Sequence, residues 1–166
     1  DKPANLRRLA AAIGELPASV RSRLTLENDD RSYTPADLLP LCRQTGIPLT
    51  YDVHHHRCLP DGMGEEEVTA AALATWRREP LFHLSSPLER LEGRVDRRHH
   101  EYVAVEDVPA VWRGLEITVD VEAKAKELAV LRLKKQLAAA DAYSPPPAGD
   151  KGPRRPSTAS ARSSME

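Results

Sequence analysis

The sequence predicts an α/β fold built from about four strand–helix units, the content of half a (β/α)8 barrel, and three observations carry that prediction. Four short apolar runs each stop on a carboxylate or a histidine: Leu24-Thr-Leu-Glu27, Leu49-Thr-Tyr-Asp52 with its three histidines, Leu81-Phe-His83, and Ile117-Thr-Val-Asp-Val-Glu122. Each run is followed by a stretch with helical spacing, so strand, loop and helix repeat along the chain. The run from Ile47 to Val53 is apolar almost throughout, as in a parallel strand covered on both faces. In such barrels the C-terminal strand ends share one face, and chemistry is built there. Glu27, Asp52, His83 and Glu122 are therefore expected to meet.

The elements follow in order. Leu6, Leu9, Ala10 and Ile13 recur at helical spacing, and Gly14 and Pro17 end that helix. A strand follows at about 23–27. Thr34-Pro35-Ala36-Asp37 is a helix start, with threonine as cap, proline in the first turn and an acid at the capping-box position. That helix carries Leu38, Leu39, Leu41 and Cys42, and Gly46 is its stop. A strand at 47–53 leads to a helix from Glu65 to Arg77, with Val68, Ala71, Ala72 and Trp76 facing inward. The third strand, 81–85, is followed by an arginine-rich loop from Arg90 to Arg98. A short helical piece near 106–112 precedes the last strand, 115–121, and a closing helix from Glu122 to about Ala142.

Residues 1–143 are thus one folded unit. Residues 144–166 are rich in proline, serine and arginine without apolar periodicity, and are expected to form a disordered tail. Right-handed crossovers pair the four strands in parallel in chain order. A closed barrel needs eight strands and typically ~250 residues. The expectation is a barrel-like fold half present, with two bare sheet edges. The opening Asp1, in place of a methionine, points the same way.

Bulk composition narrows the function classes. The 166 residues are 40% hydrophobic and 30% charged, which suits a soluble globular protein. A net charge of -1 gives no overall argument for nucleic acid, although a cleft can still concentrate positive charge. Cys42 and Cys58 are too few for a disulfide framework and fit a reducing cytosol, so a cytoplasmic location is expected. No apolar run approaches the ~18 residues of a membrane span, and no signal peptide is visible. There is no glycine-rich phosphate loop, Walker motif or nucleophile elbow.

What remains is a ring of three carboxylates and an imidazole, a donor set for divalent metal. Imidazole together with carboxylate suits Zn or Mn rather than Ca. In Asp52-Val53-His54-His55-His56 the strand is expected to end near Val53, which swings His55 to the side of Asp52. His83 lies inside an apolar strand, where a histidine is ordinarily core; its flanking strands make it a ligand candidate. Glu122 is either a ligand or a charge favouring a helix start. Glu27 precedes Asn28-Asp29-Asp30, which also reads as a polar turn. His99 and His100 are ligand candidates or solvated loop. Cys58 is taken as a small buried residue. Arg57, Arg94, Arg97 and Arg98 are candidate phosphate contacts on the same face, against the alternative of solvated charge.

Leu26-Glu27-Asn28-Asp29-Asp30, Tyr51-Asp52-Val53-His54-His55, Phe82-His83-Leu84-Ser85-Ser86-Pro87 and Val121-Glu122-Ala123-Lys124-Ala125-Lys126-Glu127, in this order, resemble the UV damage endonuclease family from about Asp1 to Leu133. That resemblance implies a TIM barrel similar to endonuclease IV, with about three divalent ions, manganese first and zinc or magnesium as alternatives. It implies a DNA-repair endonuclease that nicks double-stranded DNA 5′ of cyclobutane dimers and 6-4 products, acting at the nucleoid. Glu27 looks like a bridging carboxylate. Asp52, His83 and Glu122 look like the other ligands of the central ion, making these four the expected catalytic set. His55 and His99 look like ligands of a further ion, and Arg57, Arg97 and Arg98 are the expected DNA contacts. The chain resembles the family's C-terminal half, so the N-terminal half becomes an expected partner without which activity is absent. Leu81 stands where many members carry lysine, and His100 and Asp120 depart from the usual pattern, so none of these receives a role. Two alternatives accompany this expectation: a sugar isomerase of the xylose isomerase type, and a non-catalytic truncated fragment. The histidine run and Leu-Glu-Asn-Asp-Asp fit the repair family better than the isomerases.

Overall fold

Four parallel strands in chain order position everything else. In the computed structural model, which describes residues 1–142, they are β1 (Leu26–Glu27), β2 (Leu49–Thr50), β3 (Leu81–Leu84) and, after a hairpin, β6 (Thr118–Val121). β1 pairs β2 and β3 pairs β6, both in parallel. A single parallel bridge between Asp52 and His83 joins the pairs, with the His83 amide donating to the Tyr51 carbonyl at 2.9 Å. The expected strand order holds, and β1 and β6 are the two edges among the described residues. The segment expected to be a tail, 144–166, lies outside the described residues.

Helices α1 (Lys2–Glu15), α3 (Pro35–Thr45), α5 (Glu65–Leu73) and α6 (Glu127–Ala142) alternate with the strands, and α2 (Ala18–Arg21) is a single turn. The start of α3 matches its sequence: Thr34 accepts from the Asp37 amide, and Asp37 accepts from the Thr34 amide in return. Gly46 ends α3 at φ 72°, a left-handed conformation that glycine adopts without a Cβ clash. The core runs between helices and strands. Leu49, Tyr51, Val53 and Phe82 are wholly buried. Tyr51 meets Phe82 and Trp112 edge-on at 5.8 and 6.0 Å, and such pairs add about 0.5–1.5 kcal/mol beyond area burial. No helix among the described residues is long and apolar enough to cross a membrane.

Several boundaries differ from expectation, each for a local reason. The second strand stops at Thr50, because the Asp52 side chain accepts from the His55 amide at 2.8 Å and starts a short helix, α4 (Val53–Cys58). The three histidines are therefore helical. Glu122 does not open the closing helix. Its amide donates to the Leu84 carbonyl, so it continues the sheet, and α6 begins only at Glu127 after a turn that puts Lys126 at φ 49°. The arginine loop contains a hairpin, β4 (Arg90–Leu91) with β5 (Arg94–Val95). The piece near 106–112 is two short 3-10 turns, Val105–Asp107 and Ala110–Trp112.

Candidate metal centre

Each strand end delivers one donor. Glu27 ends β1, Asp52 follows β2 as the cap of α4, His83 lies within β3, and Glu122 follows β6. Ligand atoms of these four residues all lie within 4.8 Å of one another. His55, His99 and Glu122 form a second group within the same limit. Glu122 is common to both, and Glu27 touches one histidine of each, standing 3.4 Å from His55 Nδ1 and 3.3 Å from His83 Nδ1. The six candidate ligands thus meet, although they span the chain from residue 27 to residue 122.

His55 reaches this place through the first turn of α4. His99 arrives by a different route. The loop after β3 folds back on itself, with a bridge between Pro87 and His99 and the Leu88 amide donating to the Arg98 carbonyl at 2.7 Å. His99 Nδ1 then stands 3.5 Å from Glu122 Oε2.

The electrostatics set carboxylates against imidazoles. Burial alone would raise the Glu27 carboxyl, but His55 and His83 outweigh it and hold the group at about 2. The Glu122 and Glu27 carboxylates draw the His83 imidazole up to about 10. Burial opposes a charge on His55, yet Glu27 and Asp52 lift it to about 9. Asp52 moves the other way, upward, because its burial is complete. Its Oδ2 has no hydrogen-bond partner, and neither does His83 Nδ1. Buried polar atoms are almost always paired. Both atoms nonetheless stand against charged groups, Asp52 Oδ2 3.4 Å from His55 Nδ1 and His83 Nδ1 3.3 Å from both Glu27 and Glu122, a cluster of unbonded donor atoms that a divalent ion fits. The donor set is oxygen and nitrogen only, since Cys58 belongs to neither group.

Other sequence candidates go elsewhere. His56 is structural: its Nε2–H donates to Asp61 at 3.1 Å, and Nδ1 accepts from the Tyr51 hydroxyl at 2.8 Å. His54 is buried with its ring edge-on to His99 at 5.3 Å. Asp29 accepts from the Arg31 and Tyr33 amides, holding a turn. Arg57 donates to Glu65 and to the Asp107 carbonyl, and Arg98 is forked onto Asp96 and Glu89. Arg97 stands 3.6 Å from Asp30 and is half exposed, and Arg94 has no ion pair among the described residues. These arginines line one cleft of about 930 Å3. Cys42 and Cys58 are both free thiols. The residue that sequence reasoning missed is Asn28. It read as a turn former, but it is fully buried, with both side-chain amide atoms bonded to Asp52.

A parallel strand layer with carboxylates and imidazoles gathered at its C-terminal ends defines a β/α protein with a candidate divalent-metal centre. The chain belongs to the family described as UV-endonuclease UvdE, which matches residues 1–149. It is 44% identical over 133 residues to the UV DNA damage endonuclease of Deinococcus radiodurans, covering 76% of this chain and 42% of that protein. With the UV DNA damage endonuclease of Bacillus velezensis it shares 36% over 148 residues, 84% of this chain and 45% of the relative. The crystal structure of SacUVDE superposes with a TM-score of 0.73 at 27% identity, over 84% of this chain and 48% of that one. The chain thus spans a little under half the length of these relatives. Family membership separates it from the sugar isomerases that its donor set also fitted.

Proposed function

We propose that this chain supplies the C-terminal half of a TIM-barrel DNA-repair endonuclease, holding divalent metal, manganese first, and nicking DNA 5′ of UV photoproducts. One observation carries the proposal: in a UvdE-family chain, donors from four successive strand ends converge within 4.8 Å, two of them buried without hydrogen bonds. Glu27, Asp52, His83 and Glu122 would hold one ion, and His55 and His99 would join Glu122 at a second. Bound ions would supply Lewis-acid stabilisation of the charge developing on a phosphodiester.

The chain's own groups have distinct parts. Asp52, buried beside His55, fixes the turn that brings the imidazole forward. Glu27 and Glu122 hold the histidine rings from opposite strands and keep the ring of donors negative. Arg94 and Arg97 line the arginine-rich cleft, Arg97 3.6 Å from Asp30 and Arg94 without an ion pair among the described residues, and are the better phosphate contacts. Arg57 and Arg98 instead brace the loops. Poorly stacked, damaged bases cost less to extrude, which supplies selectivity. Nicking is expected to require the N-terminal half of the barrel, because β1 and β6 are open edges among the described residues and the chain matches only 42–48% of the relatives compared.

UV-irradiated and undamaged supercoiled plasmid, incubated with this chain, with and without Mn2+, and with and without the N-terminal half of a family relative, tests the proposal. Nicks that need damage, metal and both halves support it. Nicks independent of metal, or of damage, overturn it.

A further inference from the structure

We infer that Asn28 is a positioning residue that sets two candidate ligands at once, the Asp52 carboxylate and the His55 ring; this rests on the metal-site proposal above. β1 and β2 pair through Leu26 with Leu49 and Glu27 with Thr50, and there the backbone ladder ends. One step further, the Asn28 side chain takes over. Its Nδ2 donates to the Asp52 carbonyl at 2.8 Å, and its Oδ1 accepts from the Asp52 amide at 3.0 Å. The Asp52 amide and carbonyl are thereby both bonded to one planar side-chain amide, the carbonyl also accepting from the His56 amide at 3.2 Å, and both residues are fully buried. The Asp52 side chain is the cap of α4, so fixing its backbone fixes where the His55 helix begins.

The same residue reaches His55 directly. The Asn28 carbonyl lies 3.1 Å from His55 Nδ1. A carbonyl only accepts, and Glu27 Oε1 and Asp52 Oδ2 stand 3.4 Å from the same nitrogen, so the Asn28 carbonyl as the nearest of three acceptors puts a proton on Nδ1 and leaves Nε2 as the lone pair of the neutral ring. Ligating histidines commonly donate their second nitrogen to a backbone carbonyl in this manner, which sets tautomer and ring orientation. A turn-forming asparagine needs neither contact. Aspartate at this position could accept from the Asp52 amide but could not donate to its carbonyl, and alanine could do neither.

The test compares the full chain with Asn28→Ala and Asn28→Asp, measuring Mn2+ affinity by calorimetry well below each melting point. Both variants are expected to lose roughly 10- to 100-fold in affinity, the range for groups that orient ligands. Melting that falls while the affinity of the folded variant stays at the native value overturns the inference and leaves a purely structural asparagine. Should neither variant fold, long-range 1H–15N spectra of the native chain loaded with Zn2+ decide it. His55 protonated on Nδ1 and metal-shifted on Nε2 is the expected signature, and the reverse overturns it. Native chain that binds neither ion removes the metal-site proposal together with this one, an outcome distinct from intact native binding with unaffected variants.

Discussion

At the scale of single residues, the candidate centre is a set of proton-binding groups, and the proposed cation would exchange for their protons. His55 and His83, ordinarily titrating near 6.5, stand at about 9 and about 10 in the metal-free fold. Groups raised by folding contribute stability that is fully present below the unfolded value and lost as pH rises through the folded value. The metal-free chain should therefore melt progressively lower between about pH 6.5 and pH 10. Metal binding displaces the same protons, so its sign is opposite. The rise in melting temperature caused by Mn2+ should grow across that range; a rise independent of pH would place the ion away from these histidines. Glu27→Gln removes the carboxylate that faces both rings. Calorimetry should show Mn2+ affinity reduced by more than roughly 100-fold, beyond the effect expected of an orienting group. Native-like circular dichroism would show that the fold persists.

At the scale of elements, the arginines divide by what they already hold. Arg57 ties α4 to α5 through Glu65 and to the 3-10 turn through Asp107, which also accepts from Ser86 and Arg90. Arg57→Ala should lower the denaturant midpoint with its m-value unchanged. Arg94→Ala and Arg97→Ala should leave that midpoint alone and weaken DNA binding, each reducing the salt slope of log K by about 0.9 per lost phosphate contact. Binding isotherms at several salt concentrations check this. Reversal of the two outcomes would return Arg57 to the DNA-facing group. The capping box gives a simpler case. Thr34→Ala should cost about 1 kcal/mol in chemical denaturation, because the Asp37 amide loses its acceptor.

At the scale of the molecule, parallel strands normally have neighbours on both sides and cover on both faces. Here β1 and β6 end the sheet among the described residues, and Leu128 and Leu131 on α6 are more than half exposed. Unpaired edges of this kind associate. Size-exclusion chromatography with light scattering should find the isolated chain forming concentration-dependent oligomers. Added N-terminal half from a relative should convert these to a one-to-one complex. A monodisperse monomer that ignores the added half would count against the half-barrel proposal.

Much of this was legible along the chain. The order of elements, the parallel pairing in sequence order, the capping box at Thr34 and the stop at Gly46 follow from periodicity and local hydrogen bonding, which act over a few residues. The four strand-end donors were readable because alternation and strand direction alone send strand ends to one face. Three things were not. Asp52 could continue a strand or cap a helix, and the choice turned on a side-chain bond to the His55 amide that only the folded backbone offers. Glu122 had the composition of a helix start but was captured by the Leu84 carbonyl across the sheet. Asn28 looked like any turn asparagine until folding set the Asp52 peptide opposite it. The sequence by itself determined which residues carry donors and in what order the strands bring them. The tertiary structure decided which donors meet and which are left without hydrogen bonds, because burial and pairing depend on neighbours far away in the chain.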